Sequence, residues 1–185
     1  MSSRFKWLDV DIENRPISYL GSDWTTADIT AIAASFVGED EVFCFVQTKA
    51  RTSQRKMLKQ FLELYNEADG VTGHNLIRHD LPHINGALME LGMPTLGPKL
   101  VCDTYSHLKK KSGISSSQEN LAAMLNLVTP KIGMNTTKWR LANRLLPEGI
   151  EATKERVIGD VVQHKALRAA LLERDLLRPA RVWRP

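Results

Sequence analysis

Phe5-Lys6-Trp7-Leu8-Asp9-Val10-Asp11-Ile12-Glu13 decides how this chain folds. Apolar Leu8, Val10 and Ile12 alternate with acidic Asp9, Asp11 and Glu13. That period of two predicts a β-strand with all three carboxylates on one face. Like charges on one strand face repel unless cations lie among them, so the stretch predicts a cation site as well as a strand. Asn14-Arg15-Pro16 ends it.

Working outward, Ile29–Val37 and Val42–Gln47 are apolar runs joined by Gly38-Glu39-Asp40-Glu41, which predicts a hairpin and three strands in a row. Ser53 is placed to cap a helix through Ala68, in which Met57, Leu58, Phe61, Leu62 and Tyr65 recur at helical spacing. Gly70–Asn75 reads as a short strand entering a turn. Asp80–Leu91 reads as a helix with Pro82 in its first turn. Leu100–Cys102 reads as a last short strand, with Asp103 or Thr104 capping the next helix. Ser116 or Ser117 opens another helix, and Pro147 starts a long one through about Leu177 with Asp160 in its interior. Strands first and then alternating helices and strands predict an α/β fold: a mixed sheet covered by helices. A single domain over residues 1–177 is expected, with an irregular tail at 178–185.

The 185 residues suit one domain with a sizeable core. No apolar run reaches membrane-spanning length, and the first residues lack the apolar core of a signal peptide. Cys44 and Cys102 are the only cysteines and form no CxxC pair, which argues against zinc and for a reduced, cytoplasmic setting. A net charge of +4 favours a polyanionic partner.

Four carboxylates are candidates for one pocket: Asp11, Glu13, Asp80 and Asp160. Such a set suits hard cations, Mg²⁺ or Mn²⁺, and two ions side by side serve phosphodiester hydrolysis. Asp11, on a rigid strand, is the expected bridging ligand. Asp80 fits equally a first-turn acid favoured by the helix dipole, and Asp160 fits a salt bridge to Arg156 or His164 at helical spacing. The first pair can be read as Asp9-x-Asp11 or Asp11-x-Glu13. Asp103 reads as a helix cap rather than a ligand. His74, His79 and His83 are poor partners for Mg²⁺; His79 is expected to pack or to contact substrate. Asn75 holds the turn or bonds substrate. Lys109, Lys110 and Lys111, with Lys131, Lys138 and Arg140, are candidate phosphate contacts or an ordinary solvated surface. Trp139 is a stacking platform for a base or a core residue.

The clusters resemble the motifs of DEDD-type exonucleases of the ribonuclease H-like superfamily, in particular small phage-encoded DnaQ-like nucleases. Asp11-x-Glu13 before Asn14-Arg15-Pro16 is similar to the first motif. Gly73-His74-Asn75 with Asp80 is similar to the second, with His79 where Phe or Tyr is usual. Asp160-Val161-Val162 is similar to the third, and Cys102-Asp103-Thr104 to a common strand end between them. The resemblance covers nearly the whole chain. It implies a ribonuclease H-like sheet, first three strands antiparallel and then parallel, two Mg²⁺ or Mn²⁺ ions, and 3′-to-5′ removal of nucleotides, DNA before RNA, from single-stranded 3′ ends. One departure stands out. The third motif carries a Tyr four residues before its Asp or a His five before it; this chain has Arg156 and Glu155 there. Arg cannot act as a base, which leaves Glu155 or His164, one turn after Asp160, as the candidate base. The alternatives to an exonuclease are a weakly catalytic nucleic-acid-binding module and a ribonuclease or structure-specific endonuclease on the same fold.

Overall fold

In the computed structural model of the chain, residues 5–15, 28–108, 113–129 and 133–185 are described. Six strands form one sheet in the order β3-β2-β1-β4-β5-β6. The strands are β1 (Trp7–Arg15), β2 (Asp28–Phe36), β3 (Phe43–Val46), β4 (Gly70–Gly73), β5 (Lys99–Asp103) and β6 (Arg181–Trp183). The first three pair antiparallel, and β1, β4 and β5 run parallel. This is the mixed sheet that the strand pattern and the ribonuclease H-like resemblance predict. Helices α1 (Ser53–Glu67), α2 (Asp80–Glu90), α3 (Thr104–Leu108), α4 (Gln118–Met124), α5 (Thr136–Asn143) and α6 (Pro147–Glu173) flank it.

The alternation in β1 divides the molecule. Leu8, Val10 and Ile12, with Ile32 and Phe36 of β2, pack against Met57, Leu58, Phe61 and Tyr65 of α1 and Leu81, Ile84 and Leu88 of α2. Truncating a side chain as buried as Phe61 costs about 3–5 kcal/mol. The other face carries the acids of β1 beside Ala31 and Ala33 of β2, which pack on Val157 and Val161 of α6. The small alanines let this helix lie close over the acidic half of the sheet.

Two expectations change. Ser53 does not cap α1: Thr52 holds that position, and the Ser53 hydroxyl instead donates to the Thr48 carbonyl at 2.8 Å. The tail is not wholly irregular. Arg181–Trp183 adds an antiparallel edge strand to β5, with Trp183 packed on the main core. Two prolines and three arginines around so short a strand hide it, and those charges are what keeps such an edge from pairing further. Helix α5 carries no hydrophobic signal in the sequence, because it buries only Ala142 and so lacks an apolar stripe. Its start is marked by Asn135, whose side chain accepts from the Lys138 amide at 2.9 Å. No helix among the described residues is long and apolar enough to cross a membrane.

Helices α5 and α6 meet at Gly149. A Cβ there would lie 2.2 Å from the Ala142 nitrogen and 2.2 Å from the Leu141 carbonyl carbon. Backbone cannot yield as a side chain can. Gly149→Ala is therefore expected to destabilise the fold by about 2–3 kcal/mol. Gly97→Ala, whose Cβ would meet nothing within 4 Å, serves as the control. Urea unfolding of both variants checks this, and equal midpoints would refute it.

Candidate metal centre

Helix α6 lies along β1 with matched spacing. Four helical residues advance about 6 Å, and two strand residues about 6.6 Å. Arg156, Asp160 and His164 therefore face Glu13, Asp11 and Asp9 in turn. Arg156 Nε donates to Glu13 Oε1. Asp160 joins Asp11 and Glu13 in a group whose oxygens all lie within 4.8 Å of one another. His164 Nδ1 donates to Asp9, 2.7 Å from Oδ2.

The acidic face of β1 thus splits between two tasks. Asp9 is fully buried and takes the imidazole, while Asp11 and Glu13 join Asp160. Of the two readings of the acidic pair, the geometry brings Asp11-x-Glu13 to the cluster. Among the described residues no other group of three His, Cys, Asp or Glu is close enough to hold a metal ion. Its donors are all carboxylate oxygens, the chemistry that hard divalent cations take.

Asp80 stands beside this group at the start of α2. Its Oδ1 accepts from the Ile12 amide at 3.1 Å. Burial, and then the charges of Asp80, Asp160 and Glu13, push the Asp11 carboxyl well above the ordinary range. Burial also raises Glu13, against the opposing pull of Arg156. Such crowding favours protonation or a cation.

The turn that delivers Asp80 hangs on Asp103. This buried carboxylate accepts from the amides of Asn75 at 3.0 Å, Ile77 at 3.1 Å and Ser106 at 3.1 Å. It caps α3, as expected, and also fixes the turn after β4. Asn75 sits there at φ 67°, a conformation that Asn tolerates, and its carbonyl accepts from the Arg78 and His79 amides. Asn75 thereby holds the turn. At Gly73 a Cβ would come within 2.7 Å of the Val10 carbonyl, so the close approach of β4 to β1 requires glycine.

The candidate bases fare differently from the ligands. His164 is buried with both ring nitrogens engaged, Nδ1 on Asp9 and Nε2 at 2.9 Å from Thr104 Oγ1. It is therefore not oriented as a base toward the cluster. Glu155 is exposed, about 140° around the helix from Asp160. His79 is half-buried at the rim, its Nδ1 3.7 Å from Asp80 Oδ2 and its ring 4.4 Å from that of His83; the Asp80 carboxylate raises its pKa. His74 turns away to Thr104 and the Ser116 carbonyl, so the three histidines form no cluster. Trp139 is half-buried and lies under the Arg156 guanidinium, 5.6 Å from ring centroid to Cζ. Lys109, Lys110, Lys111 and Lys131 lie outside the described residues. Helical spacing marks Arg156 as a partner for Asp160, but gives no sign of its bond to Glu13, 143 positions away. Nor does any spacing reveal the Asp9–His164 pair.

No family model matches the sequence, and no curated protein sequence does. The fold does have solved counterparts. One is the family B DNA polymerase from the hyperthermophilic archaeon Pyrobaculum calidifontis, with a TM-score of 0.74 over 91% of this chain, at 17% identity. The chain spans about a quarter of that polymerase, 25% of its length. At this identity the likeness is one of fold alone.

Proposed function

We propose that the protein is a divalent-metal-dependent nuclease that removes nucleotides from the 3′ ends of single-stranded nucleic acid, DNA in preference to RNA. The observation that carries this reading is the group Asp11, Glu13 and Asp160, held within 4.8 Å at the end of a central strand with Asp80 beside it. The crevice outside the carboxyl ends of parallel strands is where open α/β sheets bind ligands. The fold likeness to a DNA polymerase supports nucleic acid as the partner.

In this reading Asp11, Glu13, Asp80 and Asp160 are the ligands for Mg²⁺ or Mn²⁺. Bound there, the cations would neutralise charge at the scissile phosphate and acidify the attacking water. The chain's own residues do the rest. Asp11 on β1 and Asp80 at the α2 N-terminus are fixed by backbone, so the set needs little reorganisation. His79 at the rim and Lys109, Lys110 and Lys111 after α3 contact the strand and position it without reading its sequence. Neither Glu155 nor His164 serves as base, since one points to solvent and the other is fully bonded.

One observation favours a second reading. Arg156 stands among the carboxylates where a base is usual in the resembled family, which suits a nucleic-acid-binding module with little turnover. The two separate in one assay with end-labelled single-stranded DNA and RNA. The nuclease reading expects a ladder from the 3′ end with Mn²⁺ or Mg²⁺, none with EDTA, and a loss of at least about 100-fold in Asp11→Asn and Asp160→Asn. Salt-sensitive binding without products would support the binding module and refute the nuclease.

The raised Asp11 carboxyl also gives a stability prediction. Between the ordinary value, about 4, and its raised value, folded Asp11 keeps a proton that the unfolded chain has released. The unfolded state then binds fewer protons, so stability falls as pH rises through that window. In chelator the melting temperature is expected to drop from pH 5 to pH 7. Asp11→Asn should recover at least about 3 °C at pH 7, the equivalent of about 1 kcal/mol in a chain of this size. Differential scanning calorimetry at both pH values measures it, and a variant that melts below the parent at pH 7 would count against the crowded-carboxylate account.

A further inference from the structure

Arg156 fills cation space within the carboxylate group. Its Nε donates to Glu13 Oε1, its Nη2 lies 3.5 Å from Asp160 Oδ2, and its guanidinium rests over Trp139 at 5.6 Å. These anchors belong to β1, α6 and α5, so the position is set by the fold and not by one flexible contact. A guanidinium does not lose its proton in a protein, so the charge is permanent.

The oxygens it engages belong to two of the three clustered carboxylates. A divalent ion between Glu13 and Asp160 would face a fixed positive charge at contact distance. Asp11 and Asp80 are placed differently. Among the described residues neither is ion-paired with a lysine or arginine, and Asp80 accepts from the amide of the peptide that joins Asp11 to Ile12. Asp80 Oδ1 accepts from the Ile12 amide, and its Oδ2 lies 3.7 Å from His79 Nδ1. Arg156 makes no hydrogen bond through Nη1 to any described residue, which leaves a donor for a phosphate oxygen.

We propose that Arg156 is a resident cation of this site: it stands in for one of the two divalent ions, and the carboxylates bind a single Mg²⁺ or Mn²⁺ through Asp11 and Asp80. This rests on the metal-dependent reading above but narrows its four ligands to two, with Glu13 and Asp160 holding Arg156 instead, and it departs from the two ions that the sequence resemblance implies. Arg156 then acts on the strand directly, as a fixed positive charge beside the single ion.

The test is a count of Mn²⁺ bound to the full-length chain, by electron paramagnetic resonance of the free ion and by calorimetric titration. The parent protein is expected to bind one ion. Arg156→Gln and Arg156→Ala should bind two, the first about tenfold more tightly than the parent binds its one. Glu13→Gln should still bind one ion, and Asp80→Asn should lose it; these keep the proposal testable if the Arg156 variants fail to fold by circular dichroism. Two ions in the parent protein, an unchanged count in folded Arg156 variants, or retention of the ion by Asp80→Asn would each overturn it. If two ions bind and cleavage is robust, the nuclease reading survives alone. If the parent shows neither Mn²⁺ uptake nor cleavage, both readings fall.

Discussion

The spacing match between a strand and the helix above it underlies this structure. Side chains two apart on β1 meet side chains four apart on α6, because the two advances differ by only about 0.6 Å. Glu13 meets Arg156, Asp11 meets Asp160, and Asp9 meets His164. The outer pairs attract, and the central pair repels. The helix is thus held down at both ends of a contact whose middle is unfavourable without a cation. The apolar face of the same strand supplies the compensation, packing Leu8, Val10 and Ile12 into the main core. A site can be this strained only where the surrounding fold over-determines it.

The parallel half of the sheet completes the arrangement through one buried acid. Asp103 ends β5 and accepts amide donors from the turn after β4 and from the first turn of α3. A carboxylate satisfied by several backbone donors is a rigid staple. That staple lets Asn75 adopt a left-handed conformation and brings Asp80 to where it accepts from Ile12. The sequence distance between Asp11 and Asp80 is thereby bridged by backbone amides bonded to two buried carboxylates, Asp103 and Asp80.

Much of this is legible in the amino-acid sequence alone. The period-two run at Leu8–Glu13 announces both the strand and its acidic face, and the helical stripe from Met57 to Tyr65 announces α1. Those signals are local, and burial enforces them. The features that stay hidden are long-range or weakly buried. Helix α5 buries one residue, and β6 has three residues beside prolines, so neither carries a hydrophobic period. The division of labour between Asp9 and Asp11 depends on which residue of α6 lies above each, and no spacing within β1 encodes that. Arg156 is visible as a helical neighbour of Asp160. Its bond to Glu13 joins positions 143 apart and depends on the tertiary register.

The same register explains why the most tempting histidine is not a proton acceptor for water. His164 has its Nδ1 on Asp9, and its Nε2 meets Thr104, whose hydroxyl also lies 2.9 Å from His74 Nδ1. His74 in turn donates to the Ser116 carbonyl. This chain of polar groups crosses from α6 through the β4 and β5 ends to the segment before α4. The chain is largely closed to water, and stranding a buried polar group costs about 1–3 kcal/mol. An imidazole whose nitrogens are both spent in this way ties helix to sheet. With His164 bonded and Glu155 facing solvent, the described side chains around Asp11 supply negative charge and the fixed positive charge of Arg156, with the His79 imidazole at the rim beside Asp80. In the metal-dependent reading proposed above, chemistry at this site would begin from a cation held by its carboxylates rather than from His164 or Glu155.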